Sequence, residues 1–227
     1  EEFGHWRNCL IPLPHEIAIS HKATLLPAAV GLQTQAGTGE IEQQALLELT
    51  ELFETRTGIK PTGTAFTIRL VLLDPQGQSD GTGHPQAEHL RALPHSDQAY
   101  VVEPLNDTGL RVIALSPQGL YHGVQTLKQL LKSHLTPEAA VIPLVHIVDW
   151  PDLDERGLWN FDLDLIPWIA SLKLNFAKVP SGVRHIEPGK PLATWVASTE
   201  QYPNILVEGR KRALKAVPIV SHLNYIG

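Results

Sequence analysis

Hydrophobic and polar positions change period several times along the chain, and each change marks an element. From Glu40 to Thr55 the apolar residues Ile41, Ala45, Leu49, Leu52 and Phe53 recur at helical spacing, and Gly58 stands where a left-handed C-terminal cap belongs. Ala65 to Leu73 is instead a β-rich run, Phe66-Thr67-Ile68-Arg69-Leu70-Val71-Leu72-Leu73, closed by the turn residues Asp74-Pro75-Gln76-Gly77. Ala99 to Glu103 and Leu110 to Leu115 flank Asn106-Asp107-Thr108-Gly109, residues that supply the positive φ values of a hairpin turn. Ser116-Pro117-Gln118 opens a helix through Leu131, with Tyr121, Val124, Leu127, Leu130 and Leu131 as its buried stripe. A strand from Val141 to Val148 ends at Asp149-Trp150-Pro151-Asp152. Ahead of all these, Leu10-Ile11-Pro12-Leu13-Pro14 reads as a leading loop and Glu16 to Ser20 as a short strand, the prolines marking an edge position. Gly77 to Ser96 is polar and without period, which predicts an exposed loop. Strand, helix, strand, hairpin, helix and strand specify a mixed sheet with helices packed on it, an α/β domain over residues 1–150.

After Pro151 the texture changes. Arg156 to Phe161 predicts a short strand, Leu163 to Lys173 a helix with Ile166, Ile169, Ala170 and Leu172 inward, and Leu174 to Val179 another strand. A long loop from Pro180 to Tyr202 leads to a helix over Asn204 to Lys215 and a third strand over Ala216 to Ser221. This β, α, β, α, β alternation implies parallel strands with crossover helices, and the natural completion is a (β/α)8 barrel of which residues 151–227 form the first part.

Composition narrows the function classes. No stretch of the 227 residues reaches the roughly 18 to 20 consecutive apolar positions of a membrane helix, so the chain reads as soluble. A formal net charge of −6 argues against nucleic acid, which needs a clustered basic face. The one basic run, Arg210-Lys211-Arg212, falls near the end of a predicted helix, where cations suit the dipole. A single cysteine, Cys9, excludes an internal disulfide, and the 11 histidines are too dispersed to form a metal set. There is no phosphate-binding glycine loop, no G-x-S-x-G elbow and no H-E-x-x-H, so no metal or cofactor is expected. The chain starts at Glu1 with neither an initiator Met nor a signal segment, which reads as a processed form or an excised piece.

Three runs carry a family resemblance. Gly119-Leu120-Tyr121-His122-Gly123-Val124-Gln125-Thr126-Leu127-Lys128-Gln129-Leu130-Leu131 resembles the helix that closes the leading domain of β-N-acetylhexosaminidase-type glycoside hydrolases. In that family there follow a proline-bearing strand, a D-x-P step and an Arg-Gly pair, matched by Ile142-Pro143, Asp149-Trp150-Pro151 and Arg156-Gly157. Ala170-Ser171-Leu172-Lys173-Leu174-Asn175 is similar to the family's A-x-x-K-x-N run into the second barrel strand. The resemblance implies a non-catalytic α+β leading domain with a mixed sheet, followed by the first β/α units of a TIM barrel.

It also implies a site. Arg156 corresponds to an arginine that binds hydroxyls of the non-reducing sugar, a task suited to a guanidinium's fixed donors. The alternative reading pairs it with Asp152, Asp154 or Glu155 at the domain junction. His222, at the end of the third barrel strand, stands in the place of a family histidine, with loop packing as its other reading. The family continues from Lys-x-Asn into a histidine-rich strand end, where this chain has Phe176-Ala177-Lys178-Val179. Trp159 and Trp168 are the right type to stack on sugars, but such tryptophans are more often core.

Glycoside cleavage needs a carboxylic acid on the leaving oxygen and, in substrate-assisted enzymes, a second carboxylate that orients the acetamido group. The family carries that Asp-Glu pair after the fourth barrel strand, so no catalytic residue is expected in this chain. Asp154-Glu155 precedes the first strand, on the side where residues serve stability. The expected partner is a terminal amino sugar of a glycan, with secretion or a periplasmic location following from the class. The rival reading is a non-catalytic carbohydrate-binding or interaction module, or the leading domain of an α-glucuronidase-like or O-GlcNAcase-like hydrolase.

Overall fold

A computed structural model describes residues 4–34, 39–79, 81–159, 163–179 and 202–218. Contacts divide the chain into two units, Glu1–Asp154 and Glu155–Gly227.

The first unit is ordered by its two long helices. The stripe beginning at Ile41 makes α2 (Glu40–Thr57), following a short α1 (Gly4–Arg7). It ends because Gly58 takes φ 73° and returns its N–H to the Glu54 carbonyl, the left-handed cap its position predicts. Ser116 caps α4 (Pro117–Leu131) by accepting the Gly119 N–H at 3.1 Å. Between the two lie β3 (Phe66–Leu72), β4 (Gln78–Ser79), β5 (Thr82–Gly83), α3 (Gln86–Ala92), β6 (Tyr100–Pro104) and β7 (Gly109–Ala114). With β1 (Glu16–Leu25), β2 (Val30–Thr34) and β8 (Ala140–Asp149) they give a six-stranded sheet ordered β1-β8-β6-β7-β3-β2, while β4 and β5 pair separately. The sheet is mixed: β1/β8, β8/β6 and β6/β7 are antiparallel, and β7/β3 and β3/β2 parallel.

Strand alternation loads both faces. One row crosses four strands in register, Val71, Ile113, Val101 and Val148, and is covered by Ala87 and Leu90 of α3. The opposite face takes α4, whose Gly119 and Gly123 let it approach closely. A Cβ on Gly119 would run into the Ala99 carbonyl, and one on Gly123 would lie 2.5 Å from Val112 Cγ1. That close approach is the physical content of the Gly-Leu-Tyr-His-Gly run. The N-terminal segment is tied down by Trp6, buried and stacked on His134 with ring centres 3.5 Å apart, and by paired bonds between Ile11 and Gln129.

Two expectations in the first unit need correction. The strand expected over Glu16 to Ser20 runs on to Leu25, because a register shift between Ile19 and His21 lets pairing with β8 continue; it is an edge strand, as the prolines suggested. The segment read as a structureless loop contains the β4–β5 pair and α3, a helix too short for its two buried residues to show a period. The edge strand β2 was not anticipated at all.

In the second unit, β9 (Gly157–Trp159), β10 (Phe176–Val179) and β11 (Lys215–Pro218) form a parallel sheet with β10 in the middle. α5 (Ile166–Ser171) and α6 (Tyr202–Lys211) alternate with them. Ile166, Ile169, Ala177, Ile205 and Leu214 make the core, joined by Leu158, Leu163, Leu174 and Ala216. Residues 180–201, most of the loop expected over Pro180 to Tyr202, and residues 219–227, His222 among them, lie outside the described residues.

Candidate functional site

Arg156 directly precedes β9, at the N-terminal end of the parallel strands. Lys173 follows α5 in the left-handed region, φ 59°, so the helix stops and its carbonyl turns outward. That carbonyl accepts Arg156 Nε at 3.2 Å and Nη2 at 2.8 Å. Buried Asn175 binds the backbone of the same arginine twice: its Oδ1 accepts the Arg156 N–H at 2.9 Å, and its own N–H donates to the Arg156 carbonyl at 2.9 Å. On its other side the Asn175 carbonyl accepts the Lys215 N–H at 2.8 Å. The Arg-Gly and Lys-x-Asn runs therefore meet as one knot that sets the register of all three strands and orients Arg156. Glu155 lies 4.0 Å from Lys215. Trp168 stands out on α5 at 53% exposure, against the expectation that it is core, because it lies on the side of the helix away from Ile166, Ile169 and Ala170. In parallel α/β sheets ligands gather at the opposite, C-terminal ends of the strands.

Two polar clusters in the first unit centre on buried carboxylates, Asp149 and Glu48. At the end of β8, Asp149 accepts the Tyr100 hydroxyl at 2.7 Å, the His15 N–H at 3.3 Å and the His15 ring Nδ1 at 3.1 Å. Tyr100 has one hydroxyl proton and gives it to Asp149, so Thr126, 2.5 Å away, donates to Tyr100. Burial, and then the Asp149 charge, hold the Tyr100 pKa well above 10.0, which makes the phenol a fixed donor rather than a nucleophile. The His15 ring stacks on Trp150 at 4.0 Å, and its Nε2 faces Asp152 at 3.1 Å. Asp154 closes the unit, accepting Gln98 Nε2 at 2.7 Å.

The second cluster joins α2 to α4. Glu48 is buried, yet accepts Tyr121 Oη at 3.0 Å, Gln44 Nε2 at 3.1 Å, Gln125 Nε2 at 2.9 Å and Lys128 Nζ at 2.6 Å. Burial alone would raise its pKa; the Lys128 charge, then bonds from Lys128, Gln125 and Gln44, outweigh that and hold it below 4.5.

Both clusters join elements of the fold, and the Glu48 carboxylate, held below its ordinary pKa, is not poised to give up a proton. Among the described residues no group of three or more His, Cys, Asp or Glu side chains is placed to hold a metal ion, and no helix is long and apolar enough to cross a membrane. Sequence reading singled out Asp149 and Lys128 only as members of runs. It missed His15, Tyr100 and Glu48, whose partners are 134, 49 and 80 positions away.

The family model for glycosyl hydrolase family 20, domain 2, matches residues 8–150. The fold is similar to that of Streptomyces plicatus N-acetyl-β-hexosaminidase in complex with Thio-NAglucal, with a TM-score of 0.65 and 22% identity, covering 92% of this chain and 45% of that one. The β-N-acetylhexosaminidase of Streptomyces coelicolor A3(2) gives 0.64 and 19% over the same shares. The exo β-N-acetylglucosaminidase of Vibrio harveyi in complex with N-acetylglucosamine gives 0.61 and 17%, over 94% of this chain and 36% of that one. The chain thus spans less than half the length of these structures. A comparison with curated protein sequences gave no match.

Proposed function

The chain belongs to glycosyl hydrolase family 20, and we propose that it is the leading portion of a glycosidase that removes terminal β-linked N-acetylhexosamine or a closely related sugar. The observation that carries this reading is order along the chain. A family-20 domain over residues 8–150 is followed by three parallel strands alternating with helices, the pattern that opens a (β/α)8 barrel. In this reading residues 1–150 are the non-catalytic domain, residues 151–227 begin the barrel, and the acid and the acetamido-orienting carboxylate lie in later units. His222, at the end of the third barrel strand, holds hydroxyls of the terminal sugar, while Arg156, held by the Lys173 carbonyl and Asn175 at the opposite ends of the strands, fixes the strand register. The resemblance to secreted glycan-degrading enzymes supports a secreted or periplasmic location.

The test is a panel of chromogenic glycosides offered to the full-length protein: N-acetyl-β-glucosaminide, N-acetyl-β-galactosaminide, β-glucoside and α-glucuronide. The reading expects release from the two amino sugars and little from the others. Release confined to the glucuronide would overturn it.

A further inference from the structure

His15 sits between two carboxylates, with Nδ1 3.1 Å from Asp149 and Nε2 3.1 Å from Asp152. A neutral imidazole has one N–H and an imidazolium two, so only the charged ring donates to both. The carboxylates differ in what they need. Asp149 is 8% exposed and depends on protein donors, whereas Asp152 is 86% exposed and water can replace any partner it loses. The Trp150 ring, 11° from parallel with the imidazole, adds a face that favours the cation.

We propose that His15 is a proton-operated latch on the segment by which the chain leaves the first unit. Charged, it ties the start of β1 to both Asp149 and Asp152; neutral, it keeps its Nδ1–H on Asp149 and lets Asp152 go. After deprotonation the Nε2 lone pair faces the Asp152 carboxylate, which drives that side chain off while Asp154 stays on Gln98. The charged groups acting on the ring are these two carboxylates. Burial opposes the ring's charge, but hydrogen bonds and charges of Asp149 and Asp152 outweigh it, so the folded pKa lies above 6.5. The sign follows: the latch is closed below about pH 6.5 and opens as pH rises through the folded value. The inference stands independently of any sugar chemistry.

The test is nuclear magnetic resonance of the 227-residue chain between pH 5 and 9, following the His15 ring nitrogens and the backbone amides of Trp150, Asp152, Leu153 and Asp154. His15 should titrate above 6.5, end as the Nδ1–H form, and carry the amides of Asp152 and Leu153 with the same midpoint. In Asp152→Asn, a change at an exposed position, that midpoint should fall by about half a pH unit, as expected for an exposed pair. Amides that ignore the His15 titration, an Nε2–H neutral form, or an Asp152→Asn midpoint equal to the parent's would each overturn the proposal.

Discussion

Replacing Glu48 by Gln keeps the shape of the side chain and removes its charge, which isolates what the α2–α4 ion pair contributes. The carboxylate is 7% exposed and Lys128 23% exposed. An amide retains one acceptor oxygen, but its NH2 must face a donor, either Gln44 on one side or Gln125 and Lys128 on the other. The change loses one charge-assisted bond, about 1.5–3 kcal/mol, and leaves a donor unpaired, about 1–3 kcal/mol. Lys128 can partly reach water, so the lower halves of those ranges apply. The expected loss is about 3 kcal/mol at pH 7, at the low end for a broken buried pair. That is a large part of a typical domain's stability and lowers Tm by roughly 6–12 °C.

The pH dependence carries a sign of its own. Glu48 has a folded pKa below its ordinary 4.5, so the stability from its ionised form is present above 4.5 and lost as pH falls through the folded value. The parent and Glu48→Gln curves should therefore converge on acidification. Urea midpoints at pH 7 and at a series of points below pH 4.5, read by circular dichroism, supply the comparison. A variant as stable as the parent at pH 7, or a gap that stays constant into acid, would refute the assignment of this stability to the ionised carboxylate.

Gly119→Ala and Gly123→Ala each improve intrinsic helix propensity by about 1 kcal/mol, yet should destabilise net by about 1–3 kcal/mol, because the new methyl meets the Ala99 carbonyl or the Val112 and Tyr100 side chains; thermal unfolding decides, and a stabilised variant would contradict the close approach of α4. Arg156→Lys cannot reproduce two donors on the Lys173 carbonyl, and should destabilise the chain by about 1–3 kcal/mol in urea unfolding; unchanged stability would contradict the strand knot.

Much of the fold was legible in the pattern of apolar residues. α2, α4, β3 and the β6–β7 hairpin each carry a long period or a turn whose chemistry demands one conformation, and Gly58 adopts the left-handed φ its place after α2 implied. What escaped was short or non-local. The helix α3 buries only Ala87 and Leu90, β2 draws its identity from pairing with β3 36 positions later, and both settle on a surface that other elements create. The same limit governs the polar clusters. Asp149 was visible as part of a D-x-P step, but its dependence on His15 and Tyr100 arises only when β8 is inserted between β1 and β6. Glu48 gave no local sign of burial, since its cation lies on another helix. In the second unit the Lys-x-Asn run was recognised by likeness, while its physical basis, Lys173 turning its carbonyl to Arg156 and Asn175 holding the arginine's backbone, is set by the pairing of β9 with β10.

The measurement that bears most directly on the assignment is a side-by-side assay of N-acetyl-β-glucosaminide hydrolysis by the full-length protein and by the 227-residue chain at equal concentration. Steady release by the former and none by the latter is the predicted result, with the acid and its partner carboxylate supplied by later barrel units. Turnover by the 227-residue chain, or silence from both, would contradict the account.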